Sequence, residues 1–150
     1  MNQEELDQVV RLHQQWLNGV ADGKRANLRG ADLWSANLRG AVLWYADLSG
    51  TDLRNVDLSN ANLCAVNLRG ANLNNAVLRG ADLWGADLRN VDLRNVDLRN
   101  VDLRNVDLRN VDLRNVDLEG VDITNAKMSD QQLTWATLKG AVTSSKESMR

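Results

Sequence analysis

The sequence contains no proline and no phenylalanine, one cysteine, one histidine and one tyrosine in 150 residues. Each scarcity excludes something. A single thiol, Cys64, cannot close an internal disulfide, so nothing requires an oxidising compartment. A single imidazole, His13, leaves no Cys/His cluster at metal-binding spacing and no arguable Ser/His/Asp arrangement. No phosphate-binding glycine loop is present. No apolar run approaches membrane length, and the polar, acidic N-terminus has no secretory h-region. Charge of one sign is also lacking: 18 Lys and Arg face 20 Asp and Glu, a formal net charge of −2. That balance gives no electrostatic case for nucleic acid or an anionic membrane. The expectation is a soluble, cytoplasmic-type protein without cofactor, metal or enzymatic activity.

What is abundant is order. From Leu28 every fifth residue is Leu through Leu118, followed by Ile123, Met128, Leu133 and Leu138, twenty-three registers without an insertion. Two residues earlier sits a small residue, such as Ala26, Ala31, Ala36, Ala41 and Ala46, and later Val91 to Val121, with Gln131 the clear exception. Asp or Asn precedes the central residue, Arg often follows it, and Gly or Asn closes the unit. A period of five fits neither a continuous helix nor a plain strand. Apolar residues two apart and then a gap of three fit a short extended segment ending in a corner. Gly or Asn suits a corner needing φ > 0. Such segments build a coiled solenoid with backbone pairing between stacked coils.

The A(D/N)LXX pattern, as in Ala31-Asp32-Leu33 and Ala46-Asp47-Leu48, closely resembles the pentapeptide repeat family over residues 26–142. The resemblance implies a mainly β fold, a right-handed quadrilateral β-helix with one pentapeptide per face and four per coil. Twenty-three registers then make about 5.75 coils. At the ~4.8 Å spacing of paired strands the stack is roughly 28 Å tall. A column of Leu beside a column of Ala or Val fills the core, each inward Leu contributing on the order of 1.5–3 kcal/mol. No coil buries enough alone, so both ends need caps.

Residues 1–25 are expected to form an N-terminal helical cap and a turn. Asn2 and Glu5 resemble a capping box, and Gly19 can end the helix. Leu6, Val9, Val10, His13, Trp16, Leu17 and Val20 form an apolar stripe that would cover the open end of the core. His13 is then a packed cap residue rather than a ligand or base. Ser129-Asp130-Gln131-Gln132 resembles a second capping box, predicting a turn of helix or a distorted coil before a final coil through Ala141. The tail, 143–150, is polar and expected to fray.

With four units per coil, residues twenty apart share a face. One face brings together Val42, Trp44 and Tyr45, then Cys64 and Ala65, then Trp84, before reverting to Asp102, Arg104 and Asn105. Trp44 and Trp84 should lie roughly 10 Å apart, two coil spacings. Val42, Trp44, Tyr45, Cys64 and Trp84 are therefore a candidate protein-binding patch, unless α-helical cap or plain surface tiling accounts for them. Cys64 has no base or second thiol near it and reads as a bystander. Trp34 and Trp135 fall on another face; Trp135 near the C-terminal end makes an end-to-end homodimer conceivable beside a monomer.

Residues 91–115 are five identical copies of VDLRN. Outward positions of a solenoid drift freely, and DLRNVDL already occurs at 52–58, so the block looks engineered or recently duplicated. Its regular Asp and Arg columns read as a solvated face whose exposed pairs contribute only ~0–1 kcal/mol each. Two functions compete: a structural scaffold of engineered or idealised repeats, and a protein-binding module. Some family members mimic duplex DNA and bind type II topoisomerases. That resemblance is partial, because the block is neutral and the chain has no Phe at its central positions.

Overall fold

The computed structural model describes residues 1–143; residues 144–150, most of the tail expected to fray, lie outside the described residues. Two helices, α1 (Gln3–Leu17) and α2 (Asp130–Leu138), flank a right-handed four-sided β-helix. Residues at the Asp/Asn position pair in parallel with the residue twenty further on: Asn27 with Asp47, Asp32 with Asp52, Asn37 with Asp57, Val42 with Asn62. Four pentapeptides therefore make one coil. The faces are numbered by their central residues: Leu28, Leu33, Leu38 and Leu43 open the first to fourth.

The backbone bonds explain why five residues suffice for a side. Leu28 N–H donates to Asp47 O at 2.7 Å, Gly30 N–H to Ser49 O at 2.9 Å, and Asp47 N–H returns to Ala26 O at 3.0 Å. The corner is closed by Ala31 N–H donating to Leu28 O at 2.9 Å. The unit's last residue is left-handed at nearly every corner, from Gly30 (φ 65°) to Asn125 (φ 58°). The Asp or Asn has a structural task as well: its Oδ1 accepts the backbone N–H two residues on, as in Trp34 to Asp32 at 3.1 Å and Arg104 to Asp102 at 2.9 Å. This Asx turn is why a short acceptor side chain recurs there. Inside, the Leu column is buried throughout Leu28–Leu118 and ends at Ile123. Thr51 replaces the usual Ala or Val and donates its hydroxyl to Leu28 O at 2.9 Å, so its burial leaves no unpaired polar atom.

α1 caps the first coil. The Asn2/Glu5 capping box is formed, and Gly19 follows the helix at φ 70°. Leu6 and His13 are buried; Val9, Val10 and Leu17 are half-buried. The expected stripe is narrower than the sequence suggests: Trp16 is 39% and Val20 49% exposed. Side chains replace the missing preceding coil. Gln3 pairs both ways with the Asn37 backbone at 3.0 Å, and His13 Nδ1 accepts Ala26 N–H at 3.0 Å.

The C-terminal end departs from the periodicity. Leu133 (42% exposed) and Leu138 (75% exposed) do not point into a coil but lie on α2. The competing signals are local. Gln131 is too large for the small-residue position, Gln132 too long for an Asx turn, and the Ser129/Gln132 capping box is formed instead. The chain rejoins the preceding coil at Gly140, whose carbonyl accepts Gly120 N–H at 2.9 Å, and at Val142, which pairs with Asp122. α2 covers the end of the second and third faces, where neither Asp92 and Asp112 nor Asp97 and Asp117 pair. Gln132 Nε2 donates to Leu108 O (2.7 Å) and Val111 O (2.8 Å), and Trp135 Nε1 to Leu113 O (3.0 Å). Trp135 is thus half-buried against its own coil, with the Lys139 ammonium 4.9 Å above its ring.

Candidate functional site

The fourth face carries the aromatic residues on the most regular part of the ladder. Val42 pairs with Asn62 and Asn62 with Asp82, so Trp44, Cys64 and Trp84 rise one coil at a time. The ladder continues through the corners: Tyr45 N–H donates to Cys64 O at 3.1 Å and Ala65 N–H to Trp84 O at 2.9 Å. Trp44, Tyr45 and Trp84 are 42%, 54% and 48% exposed. Val42 and Cys64 between them are half-buried. α1 therefore does not cover these rings, and the face presents apolar surface held by backbone pairing on both sides.

Two corners of this face are unusual. Tyr45 (φ 59°) and Ala65 (φ 51°) hold left-handed conformations without being Gly or Asn; among the described residues only Ser35 (φ 55°), beside Trp34, shares this. A Cβ there costs about 1–2 kcal/mol. The Tyr45 corner is further held by Arg25, whose Nε donates to its carbonyl at 2.6 Å. Behind the same corner lies His13. Burial is the main cause lowering its pKa from 6.5; the Trp44 carbonyl opposes that shift and Arg25 adds to it. With Nδ1 accepting from Ala26, the neutral ring carries its proton on Nε2, which has no hydrogen-bond partner although the Trp44 carbonyl faces the ring. Trp16 stacks on His13 with ring centroids 5.5 Å apart and planes 17° from parallel. Trp16 and Arg25 thus join the surroundings of the patch, a link across coil and cap that no sequence period reveals.

Cys64 is chemically quiet. Burial, then the Asp82 and Asp102 carboxylates, push its thiol up to about 11, so the thiolate is scarce at neutral pH. Above the patch each Asp binds the Arg of its own pentapeptide: Asp102 with Arg104 at 2.5 Å, Asp97 with Arg99 at 2.6 Å, Asp112 with Arg114 at 2.8 Å. The paired guanidiniums, with the Asx bonds, hold Asp97 and Asp112 down to about 2. Among the described residues no three His, Cys, Asp or Glu side chains cluster as a metal site, and no helix is long and apolar enough to cross a membrane.

Residues 24–60, 57–95 and 92–130 each match the family described as pentapeptide repeats (8 copies). The chain belongs to the pentapeptide repeat family. Among solved structures, it is similar to a pentapeptide repeat protein from the cyanobacterium Cyanothece 51142, with 36% identity and a TM-score of 0.55 over 70% of this chain and 62% of that one. A second, from Nostoc PCC 7120, shows 28% identity and a TM-score of 0.54 over 89% of this chain and 94% of that one. The chain thus spans less than two thirds of the first of these relatives. No curated protein sequence matches it. In this pentapeptide repeat protein the Leu column runs unbroken from Leu28 to Leu118, and on the fourth face Trp44, Cys64 and Trp84 stand where Arg follows the central Leu in many other units.

Proposed function

We propose that this pentapeptide repeat protein is a non-enzymatic scaffold that docks another protein on its fourth face, through Val42, Trp44, Tyr45, Cys64 and Trp84. The observation that carries the reading is the pair of side chains held at left-handed corners, Tyr45 and Ala65, beside exposed indoles. Backbone strain kept where Gly or Asn would relieve it points to a task for the side chain. Aromatic rings on a rigid ladder offer large apolar contact at low ordering cost, the character of interface anchors. The identical block at 91–115, engineered or duplicated, sets the length of the support. The unpaired Cys64 suits a reducing compartment such as the cytoplasm.

A topoisomerase-binding DNA mimic is the weaker reading. From Asp87 to Arg114 every Asp is bound to an Arg, which leaves no phosphate-like run of negative charge. Docking is tested by capturing proteins on immobilised wild type, Trp44→Ser/Trp84→Ser and, as a surface control, Trp34→Ser. A protein held by wild type and W34S but lost by the double variant supports the fourth face; equal retention by all three removes it.

A further inference from the structure

The near-neutral total conceals a division among the faces. At outward positions the first face carries Arg29, Arg69, Arg89, Arg109 and Lys127 against Asp47, Asp87 and Asp107, a surplus of two positive charges. The second and fourth faces carry an acidic surplus there, and the third is balanced, with Arg39, Arg79, Arg99 and Lys139 against Asp57, Asp97, Asp117 and Glu119. Where the first face meets α2, three of its arginines converge with Arg114 of the second face. A cleft of about 640 Å³ opens there, lined by Arg69, Arg89, Arg109 and Arg114 together with the Asp112 carboxylate, with Ser129 and Gln132 on its α2 side.

The arginines are not equivalent. Arg89 is bound to Asp87 at 2.5 Å and reaches Asp107 at 3.6 Å, while Asp107 also binds Arg109 at 2.6 Å. Arg114 is held by Asp112 at 2.8 Å. Arg69 has no carboxylate within ion-pair distance among the described residues, because its pentapeptide carries Asn67 where the later units carry Asp. Asn67 satisfies the turn, accepting Arg69 N–H at 3.1 Å, and donates to Asp47 at 3.2 Å, but it cannot neutralise the guanidinium. One coil beyond Asp107, Lys127 pairs with it in the ladder where another carboxylate would continue the column. Around the cleft four guanidiniums, Arg69, Arg89, Arg109 and Arg114, therefore face three carboxylates, Asp87, Asp107 and Asp112, and Arg69 is the one left over.

We propose that this cleft is a binding site for a phosphate-class dianion, with Arg69 as its anchor and Arg109 and Arg114 as flanking donors. Arg69, the one guanidinium of the cleft without a carboxylate partner among the described residues, supplies the unneutralised charge, and the planar forks of Arg109 and Arg114 match phosphate oxygens. The site is separate from the aromatic face and does not depend on a protein partner there.

Calorimetric titration of the full chain with inorganic phosphate, pyrophosphate and O-phosphoserine tests this. Saturable binding that weakens as salt is raised is expected. Arg69→Ser should weaken it at least about tenfold, the loss of one charge-assisted contact. Asn67→Asp, which gives Arg69 the internal partner found in the other units and preserves the turn, should weaken it similarly. Arg99→Ser, on the third face, should leave it unchanged. Tighter binding of pyrophosphate assigns the site to diphosphates, and tighter binding of phosphoserine to phosphate monoesters; either supports the proposal. No saturable binding of any probe, or equal binding by wild type and N67D, overturns it.

Discussion

His13 Nδ1 stands 3.0 Å from the Ala26 amide, occupying the place of the central carbonyl of a preceding pentapeptide, the acceptor that Leu28 gives Ala31 at the next corner. Because Ala26 is buried, losing this acceptor strands its N–H. His13→Ala should cost about 1–3 kcal/mol of stability, read from urea denaturation.

The same contact is pH-sensitive. The folded pKa of His13 lies below its ordinary 6.5, so the unfolded chain binds the proton more readily. Its contribution is complete above pH 6.5 and declines as pH falls below that value through the folded pKa. Wild type should therefore unfold at lower urea at pH 5.5 than at pH 7.5, and His13→Gln should flatten this difference. An unchanged wild-type midpoint would count against the buried neutral ring.

Asp102 makes two separable bonds, one to the Arg104 backbone at 2.9 Å and one to its guanidinium at 2.5 Å. Asp102→Asn keeps the acceptor and removes the charge, and should cost about 0–1 kcal/mol. Asp102→Ala removes both and should cost roughly a further 1 kcal/mol, the net value of a hydrogen bond. Thermal unfolding of the two variants should rank them in that order.

Leu103 and Leu138 occupy the same place in the five-residue period but opposite environments, 0% and 75% exposed. Leu103→Ala should cost about 2–5 kcal/mol, a buried large-to-small change. Leu138→Ala should stay within about 0.5 kcal/mol. Equal losses would put Leu138 back into a coil.

Ala65→Asn relieves a left-handed corner (φ 51°) without altering the ladder. It should stabilise the protein by about 0.5–1 kcal/mol, part of the left-handed penalty for an ordinary side chain. Differential scanning calorimetry would register a raised midpoint.

The coil was legible because one residue in five must be small, one Leu and one able to turn left, and the sequence repeats all three at one spacing. The cap helix was legible from Asn2, Glu5 and its apolar stripe, although that stripe overran to Trp16 and Val20. The end of the solenoid was not, since Leu133 and Leu138 keep the period while Gln131 and Gln132 abandon the turn chemistry. The aromatic column followed from counting by twenty. Its supports did not: Arg25 and Trp16 reach it from a segment outside the repeat. The Asx role of the Asp column was hidden because an outward carboxylate looks solvated whether or not it also holds the backbone.

The identical units at 91–115 have a kinetic consequence. A pentapeptide looped out of that block would leave the remaining units with the same neighbours, inside and out, and would sacrifice only its own Val and Leu. Everything beyond the loop, α2 included, would be carried a quarter-turn around the axis relative to Trp44 and Trp84. Within the block, misalignment is therefore opposed by the burial of one unit and not by any mismatch of side chains, and the irregular coils on either side are what give the stack a single rotational setting.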